Sequence, residues 1–131
     1  MAQDEDRFYT QRLEKAAACL AAAVRPGGVL LLEPWFTEEK WLSGSPHMNT
    51  FSDVDLKVCR QVVSRNEGPM SIMDMHWLVA RRNGEVTHHV DHHEMYMCPH
   101  DRLVAIFEAA GFEMRLEPGI LKERGLFVGV R

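Results

Sequence analysis

Apolar residues recur at every third or fourth position in two parts of the chain, as they do on one face of an amphipathic helix. The first part extends from about Arg7 to Val24, with Thr10 as a predicted N-cap and Pro26-Gly27-Gly28 ending the helix. The second opens at Pro99 and ends at Gly111, and its apolar positions are Leu103, Ile106, Phe107 and Ala110. The pattern therefore predicts one helix near each end of the chain.

Between the helices the pattern changes to that of β-strands. Val29 to Leu32 is apolar at every position, which is typical of an interior strand packed between layers of helices. Alternating segments at 56–65, 70–82 and 85–98 predict an antiparallel meander, with Asn83-Gly84 as the turn of its second hairpin. Two short strands, 112–117 and 126–130, are predicted after the second helix. The segment from Pro34 to Pro46 is a predicted loop with a short helix around Thr37 to Leu42.

The composition narrows the class of protein. The 131 residues are 46% hydrophobic and 26% charged, which predicts a single domain, residues 1–131, with the meander as an insertion at about 48–98. We expect no nucleic-acid partner, because the net charge is −4 and Lys and Arg form no cluster. We also expect no membrane span and no signal peptide. The three cysteines, Cys19, Cys59 and Cys98, form no CxxC pair, which favours a reducing cytoplasm.

Five short motifs occur along the chain in a characteristic order. They are Arg25-Pro-Gly-Gly-Val-Leu-Leu-Leu-Glu-Pro-Trp35, Asp55-Leu-Lys57, Asp74-Met-His-Trp77, His93-Glu94 and Arg124-Gly-Leu-Phe-Val-Gly-Val130. On these motifs the chain resembles the C-terminal half of a class I S-adenosylmethionine (SAM)-dependent methyltransferase, of the kind that N-methylates nucleotide-linked aminosugars in antibiotic biosynthesis. The resemblance covers nearly all of the chain after Asp6. It implies that Val29–Leu32 is the fifth strand of the methyltransferase sheet.

The resemblance implies an α/β fold with a partial class I methyltransferase-type sheet in the order 5-7-6, helices, and a three-stranded antiparallel β-meander insertion. The glycine-rich loop with which such folds bind SAM has no counterpart in the sequence, so we expect no cofactor binding and no methyl transfer by the isolated chain. The usual neighbour of the fifth strand is also missing, which leaves Val29–Leu32 as a hydrophobic edge. The sequence therefore predicts a homo-oligomer, a dimer, or a partner protein that supplies the missing N-terminal half.

Histidines are concentrated in the second hairpin, and five of the seven lie between His88 and His100. If Asn83 and Gly84 are the two turn residues, Asp74 lies opposite His93 and His76 lies opposite Asp91. Because alternate residues of a strand point to the same side, these four residues and His89 are predicted to share one face. The other face is predicted to carry Met73, Met75, Trp77, Val79, His88, Val90, His92 and Glu94.

Three interpretations of this histidine-rich hairpin remain open. Imidazole and carboxylate groups bind Zn²⁺ and other divalent ions, although we assign no metal ligand here. The same groups can orient a small-molecule acceptor and move protons, and the resemblance favours this interpretation, because the related enzymes carry Asp-x-His and His-Glu in the same hairpin. The third interpretation is a set of solvated or interfacial polar residues.

The predicted substrate-binding residues come from two parts of the chain. Asp74, His76, Asp91 and His93 belong to the hairpin. Glu33 and Trp35 follow the Val29–Leu32 strand at its carboxyl end, where α/β folds place ligands.

Three functions are compatible with these observations. The first is a SAM-dependent methyltransferase-like protein that contributes the acceptor-binding and oligomerisation half, and the resemblance supports it. The second is a non-catalytic binding or assembly module. The third is a repurposed small enzyme or metal-binding protein that works through the histidine-rich hairpin.

Overall fold

The fold is that of a computed structural model, in which residues 2–131 are described. These residues divide into two compact units, one comprising 2–41 and 97–131 and the other comprising 42–96. In chain order the described elements are α1 (Ala2–Ala23), β1 (Val29–Leu32), β2 (Pro46–Ser52), β3 (Leu56–Glu67), β4 (Met70–Arg81), β5 (Val86–Tyr96), α2 (His100–Ala109), β6 (Glu113–Glu117) and β7 (Leu126–Val130).

Helix α1 buries the apolar face that the sequence pattern predicted. Ala17 and Ala21 are fully or almost fully buried, and Leu13, Leu20 and Val24 pack partly buried beside them. The helix begins at Ala2, so the predicted N-cap at Thr10 is wrong. The acidic residues of the first turn stabilise this earlier start through the helix dipole. Neither α1 nor any other helix within residues 2–131 is both long and apolar enough to cross a membrane.

Helix α2 confirms the second periodic segment. Its buried residues are Leu103, Ile106 and Phe107, which are three of the four predicted apolar positions. Pro99 lies at the N-cap, and the chain leaves the helix through Gly111, whose φ of +100° is accessible mainly to glycine. Both helices contribute to one core, which also contains Phe112 and Phe127.

The first unit contains an antiparallel sheet in the order β1-β7-β6. This is the order 5-7-6 that the resemblance implies, so the predicted fold is confirmed. Phe127, the second residue of β7, is 1% exposed and lies in the core. Its neighbour on the same face, Gly129, lets the Met114 and Phe112 side chains pack closely, because a Cβ there would lie 2.8 Å from the sulfur of Met114 and displace that side chain.

Strand β1 has one covered face and one open face. Leu30 and Leu32 pack against the core, whereas Val29 and Leu31 are 59% and 63% exposed. The expectation that β1 is covered by helices on both faces is therefore wrong for the described residues. Within residues 2–131, β1 pairs with β7 alone.

The second unit is an antiparallel meander in the order β2-β3-β4-β5, one strand larger than the predicted insertion. The three predicted strands correspond to β3, β4 and β5. Strand β2 was missed, because all seven of its residues are exposed and its sequence has no alternation of apolar and polar positions. It pairs only with β3 among the described strands and begins at Pro46, which is a residue that edge strands tolerate.

Candidate functional site

The loop after β1 carries three aromatic side chains in mutual contact, which we call the aromatic cluster: Trp35, Phe36 and Trp41. Their ring centroids are 5.1–5.4 Å apart. The short helix predicted from Thr37 to Leu42 is instead a single turn, in which the N–H of Trp41 donates to the carbonyl of Thr37 at 3.0 Å. This turn brings Trp41 back towards the two aromatic residues that follow β1.

Arg124, which precedes β7, joins the aromatic cluster to the end of β1. Its guanidinium carbon lies 5.7 Å from the ring centroid of Trp35 and 5.6 Å from that of Phe36, within the range of cation–π attraction. The same guanidinium forms an ion pair with the carboxylate of Glu33 and donates to the carbonyl of Pro34 at 3.4 Å. The Arg124 side chain, which is only 24% exposed, therefore links the half-exposed Glu33 carboxylate to the rings of Trp35 and Phe36.

The aromatic cluster borders a cavity of about 540 Å³, lined by Trp35, Phe36 and residues 121–124. The indole N–H groups of Trp35 and Trp41 are buried without a hydrogen-bond partner among the described residues. A buried donor that lacks an acceptor costs about 1–3 kcal/mol, so an acceptor supplied by a ligand or by water is favourable here. Of the predicted pair, Trp35 lines this cavity with Phe36 and Arg124, whereas Glu33 does not line it and is linked to it through the ion pair with Arg124.

In the second unit, the register of the histidine-rich hairpin differs from the prediction by one residue. Asp74 lies opposite His92 and His76 lies opposite Val90, rather than opposite His93 and Asp91. The cause lies in the turn: the N–H of Gly84 donates to the carbonyl of Arg81 at 3.0 Å, and Asn83 takes the positive φ of +56°. The turn is thus centred on Asn83, because the N–H of Arg82 is used by the carbonyl of Asp55.

A shift of one residue moves every side chain of a strand to the opposite face. Asp74 and His76 consequently share a face with His88 and His92, and we call these four residues the imidazole face. Of the predicted hairpin set, Asp91 and His93 lie on the other side of the sheet, where His93 Nε2 is 2.8 Å from Asp91 Oδ2. The prediction that Asp74, His76, Asp91 and His93 form one constellation is therefore wrong.

Asp74 and His92 form a short polar contact on the imidazole face, with 2.6 Å between Oδ1 and Nδ1. The second oxygen of Asp74 accepts from Arg65 at 2.8 Å, and His92 Nε2 lies 3.1 Å from Glu94. The hydrogen bonds to Asp74 and then to Glu94 raise the pKa of His92, because they stabilise the imidazolium. Hydrogen bonds from His92 and then Arg65 lower the pKa of Asp74.

His76 and His88 are stacked on the imidazole face, with ring centroids 5.2 Å apart and planes inclined by 12°. Nδ1 of His76 is 3.0 Å from Nε2 of His88, so one ring donates while the other accepts. Asp74 and His76 line a cavity of about 480 Å³ together with residues of β2 and β3. Within residues 2–131, no group of three or more His, Cys, Asp or Glu side chains is arranged to hold a metal ion.

Sequence reasoning missed Arg124, Phe36 and Trp41 in the first unit, and it placed His88 and His92 on the wrong face in the second. A signal for Arg124 was present, because it is the first residue of the last of the five motifs. For the two histidines, the sequence showed a histidine-rich strand but not which of its two faces pairs with Asp74.

No protein-family model matches the chain, but comparison with individual known proteins finds several similar ones. The chain is 32% identical over 118 residues to dTDP-3-amino-3,6-dideoxy-alpha-D-glucopyranose N,N-dimethyltransferase of Streptomyces fradiae, covering 90% of this chain and 46% of that protein. Its fold is similar to that of Streptomyces venezuelae DesVI, with a TM-score of 0.86 and 33% identity over 92% of this chain and 51% of that one.

A second solved structure agrees with the first. SAM-bound CalS10, an amino pentose methyltransferase from Micromonospora echinaspora involved in calicheamicin biosynthesis, gives a TM-score of 0.80 at 31% identity. The match covers 93% of this chain and 51% of CalS10. This chain therefore spans about half the length of the relatives that it matches.

Proposed function

From the relationship of this chain to the C-terminal half of the aminosugar N-methyltransferases, we propose that it is the acceptor-binding half of a SAM-dependent N-methyltransferase of nucleotide-linked aminosugars. The observation that carries the proposal is the placement of Glu33 and Trp35 at the carboxyl end of β1, fixed there by Arg124. We also propose that it works in the cytoplasm, where its three free cysteines stay reduced.

The described residues do not fit a SAM pocket. Class I folds bind their cofactor with a strand, a glycine-rich loop and a helix in succession. Among residues 2–131, the connection that leads directly from a strand to a helix, from β5 to α2, contains no glycine. SAM would supply the transferred methyl group, and we assign no step of that transfer to the residues of this chain.

The cavity bordered by the aromatic cluster, which we call the aromatic cavity, has side chains that can bind an aminosugar. Aromatic faces such as those of Trp35 and Phe36 pack against the apolar surfaces of a sugar ring, and the carboxylate of Glu33 accepts hydrogen bonds from a substrate ammonium group. Together these groups bind and orient an acceptor amine, which is the role that we assign to the chain.

A binding experiment tests this role. We expect dTDP-3-amino-3,6-dideoxyglucose to bind the chain in isothermal titration calorimetry, and Glu33→Gln to weaken binding about tenfold to a hundredfold, because a charge-assisted hydrogen bond is lost. Glu38→Gln is the matched control, since Glu38 is exposed in the same loop. Equal affinities of the two variants would contradict the proposal. SAM is expected to give no heat with the chain alone, and measurable SAM binding would also contradict it.

The open side of β1 is the proposed docking surface for the SAM-binding half. Val29 and Leu31 expose most of their apolar surface, and the free edge offers unpaired backbone groups to a further strand. The matched relatives are twice as long as this chain, so the half that it does not match is the natural occupant. Burying each of the two side chains contributes about 1–2 kcal/mol, since both are already partly covered.

Sedimentation with the N-terminal half of Streptomyces venezuelae DesVI tests the docking surface. We expect a complex that Leu31→Lys disrupts and that Val86→Lys, an equally exposed position on the meander, leaves intact. If this chain stays monomeric in the mixture, or forms only dimers with itself, the proposed occupant is wrong.

A further inference from the structure

Two histidines of the imidazole face contact each other through their ring nitrogens. His76 lies on β4 opposite Val90, and His88 lies on β5 opposite Leu78, so the two histidines are diagonal neighbours on adjacent strands. Nδ1 of His76 is 3.0 Å from Nε2 of His88. Because both side chains are exposed, their rings can rotate without displacing a packed residue.

The pairing of the strands holds the backbone of both histidines in place. β4 and β5 are paired without interruption from Met70 with Tyr96 to Ala80 with Val86, and β4 is also paired with β3 on its other side. Diagonal neighbours on antiparallel strands lie about 7–8 Å apart at the backbone, which two long side chains together can span. The sheet therefore keeps the two rings within reach of each other when they rotate.

The spacing of the two ring nitrogens is close to that of two ligands on one metal ion. Bonds from histidine nitrogen to Zn²⁺ are about 2.0–2.1 Å long, so two such nitrogens on a tetrahedral ion lie about 3.3 Å apart. The observed distance between His76 and His88 is about 0.3 Å shorter. Coordination would replace the hydrogen bond between the rings: the ring that donates would carry its proton on its other nitrogen, and both facing nitrogens would offer a lone pair. The neutral pair would thus bind the ion without losing a proton.

Two other histidines of the hairpin have carboxylate partners instead. His92 contacts Asp74 through Nδ1 and Glu94 through Nε2, and these hydrogen bonds raise the pKa of His92. An imidazolium has no lone pair for a metal ion. On the opposite face, Nε2 of His93 is 2.8 Å from Asp91. The contact between His76 and His88 is therefore the one best suited to coordination.

The charged groups near the pair do not oppose a cation. Asp74 lies two residues from His76 on the same face and lines the same cavity. The other charged neighbours on this face are Arg65, His92 and Glu94, which form ion pairs with Asp74 or with each other. The two carboxylates balance the guanidinium and the imidazolium, so a metal ion would meet no excess of positive charge here.

We propose that His76 and His88 bind a divalent transition-metal ion, of which Zn²⁺ and Cu²⁺ are the type, with water at the remaining coordination positions. Imidazole nitrogen suits these ions, whereas Mg²⁺ and Ca²⁺ prefer oxygen ligands. Two protein ligands leave positions of the ion open, as in an exchangeable site rather than a closed structural one. This proposal is independent of the proposed function, because both ligands belong to the meander and neither lines the aromatic cavity.

Calorimetric titration of the untagged full chain with Zn²⁺ tests the site. At neutral pH we expect Zn²⁺ to bind with a stoichiometry of about one and Mg²⁺ to give no heat. His76→Ala and His88→Ala should each weaken Zn²⁺ binding by about tenfold or more, because a single imidazole remains. His89→Ala is the matched control, since His89 is exposed next to His88 on β5 and lies on the opposite face.

Electron paramagnetic resonance with Cu²⁺ gives a second readout, in which we expect two coordinating nitrogens in the unmodified chain and one in either His76→Ala or His88→Ala. His92→Ala should leave both the spectrum and the Zn²⁺ affinity unchanged, because the His92 ring is held by carboxylates. The proposal is overturned if His76→Ala or His88→Ala binds Zn²⁺ as tightly as His89→Ala, or if His92→Ala loses as much affinity as they do. Neither result affects the aminosugar titration with Glu33→Gln, so the two ideas can fail independently.

Discussion

The Phe127→Ala substitution tests how the first unit is held together. Phe127 is 1% exposed, lies between β1 and β6, and packs in the core with Phe107 and Phe112. Deleting a buried phenyl ring costs about 3–5 kcal/mol, which combines the lost transfer energy with the cavity left behind. Since domains of this size are stable by about 5–15 kcal/mol, the variant should retain only a fraction of its stability.

Urea denaturation followed by tryptophan fluorescence measures this loss. Trp35 and Trp41 report on the first unit, and a Trp77→Phe background removes the signal of the meander. With a slope of about 1–3 kcal/mol per molar urea, we expect the midpoint to fall by roughly 1–5 M. Phe51→Ala is the matched control, because Phe51 is 55% exposed on β2 and its truncation should cost about 1 kcal/mol or less. Equal midpoints for the two variants would refute the assigned core.

Two further predictions concern polar contacts. In an NMR titration, we expect a raised pKa for His92. Asp74→Asn should bring that pKa back towards its ordinary value, and Asp91→Asn should leave it unchanged. The stability that His92 contributes is present below about pH 6.5 and is lost as the pH rises through its folded-state pKa. Arg124→Ala should destabilise the first unit by about 1–2 kcal/mol in thermal unfolding, because cation–π and ion-pair contacts are lost from a mostly buried side chain. The control is Arg115→Ala, which removes an exposed ion pair with Glu117 and should change stability by about 0.5 kcal/mol or less. The assigned contacts would be contradicted if Arg115→Ala lost as much stability as Arg124→Ala, or if the pKa of His92 were not raised.

The elements with a strong periodic pattern were predictable from the sequence. Helix α2 and strand β7 lie within a residue or two of their predicted bounds, since apolar spacing and glycine stops define them. Strand β2 was not predictable, because an exposed edge strand buries no side chain and so leaves no apolar pattern. The start of α1 was missed for a similar reason: its first turns are polar, and only the buried part of the helix shows the apolar spacing.

Some residues of the candidate site were likewise predictable from the sequence, and others were not. Glu33 and Trp35 were predictable from a general property of α/β sheets, whose strand ends carry ligand-binding residues. Arg124 comes from a segment about ninety residues away in sequence, and only the antiparallel pairing of β1 with β7 brings it to Glu33. In the hairpin, Asn83-Gly84 indicated a turn but not its centre, and the contact of Arg82 with Asp55, the residue that precedes β3, decided the register.

In the β4–β5 hairpin, the number of residues at the tip determines which histidines lie on the same face as Asp74. With an odd number of residues at the tip, Asp74 meets His92; removing one residue there would present His93 and Asp91 to it instead, without any change to the strands themselves. A single-codon deletion could thus exchange the two sets of imidazoles between the surfaces of the sheet. Among relatives of this chain, the length of that tip should therefore vary less than its composition.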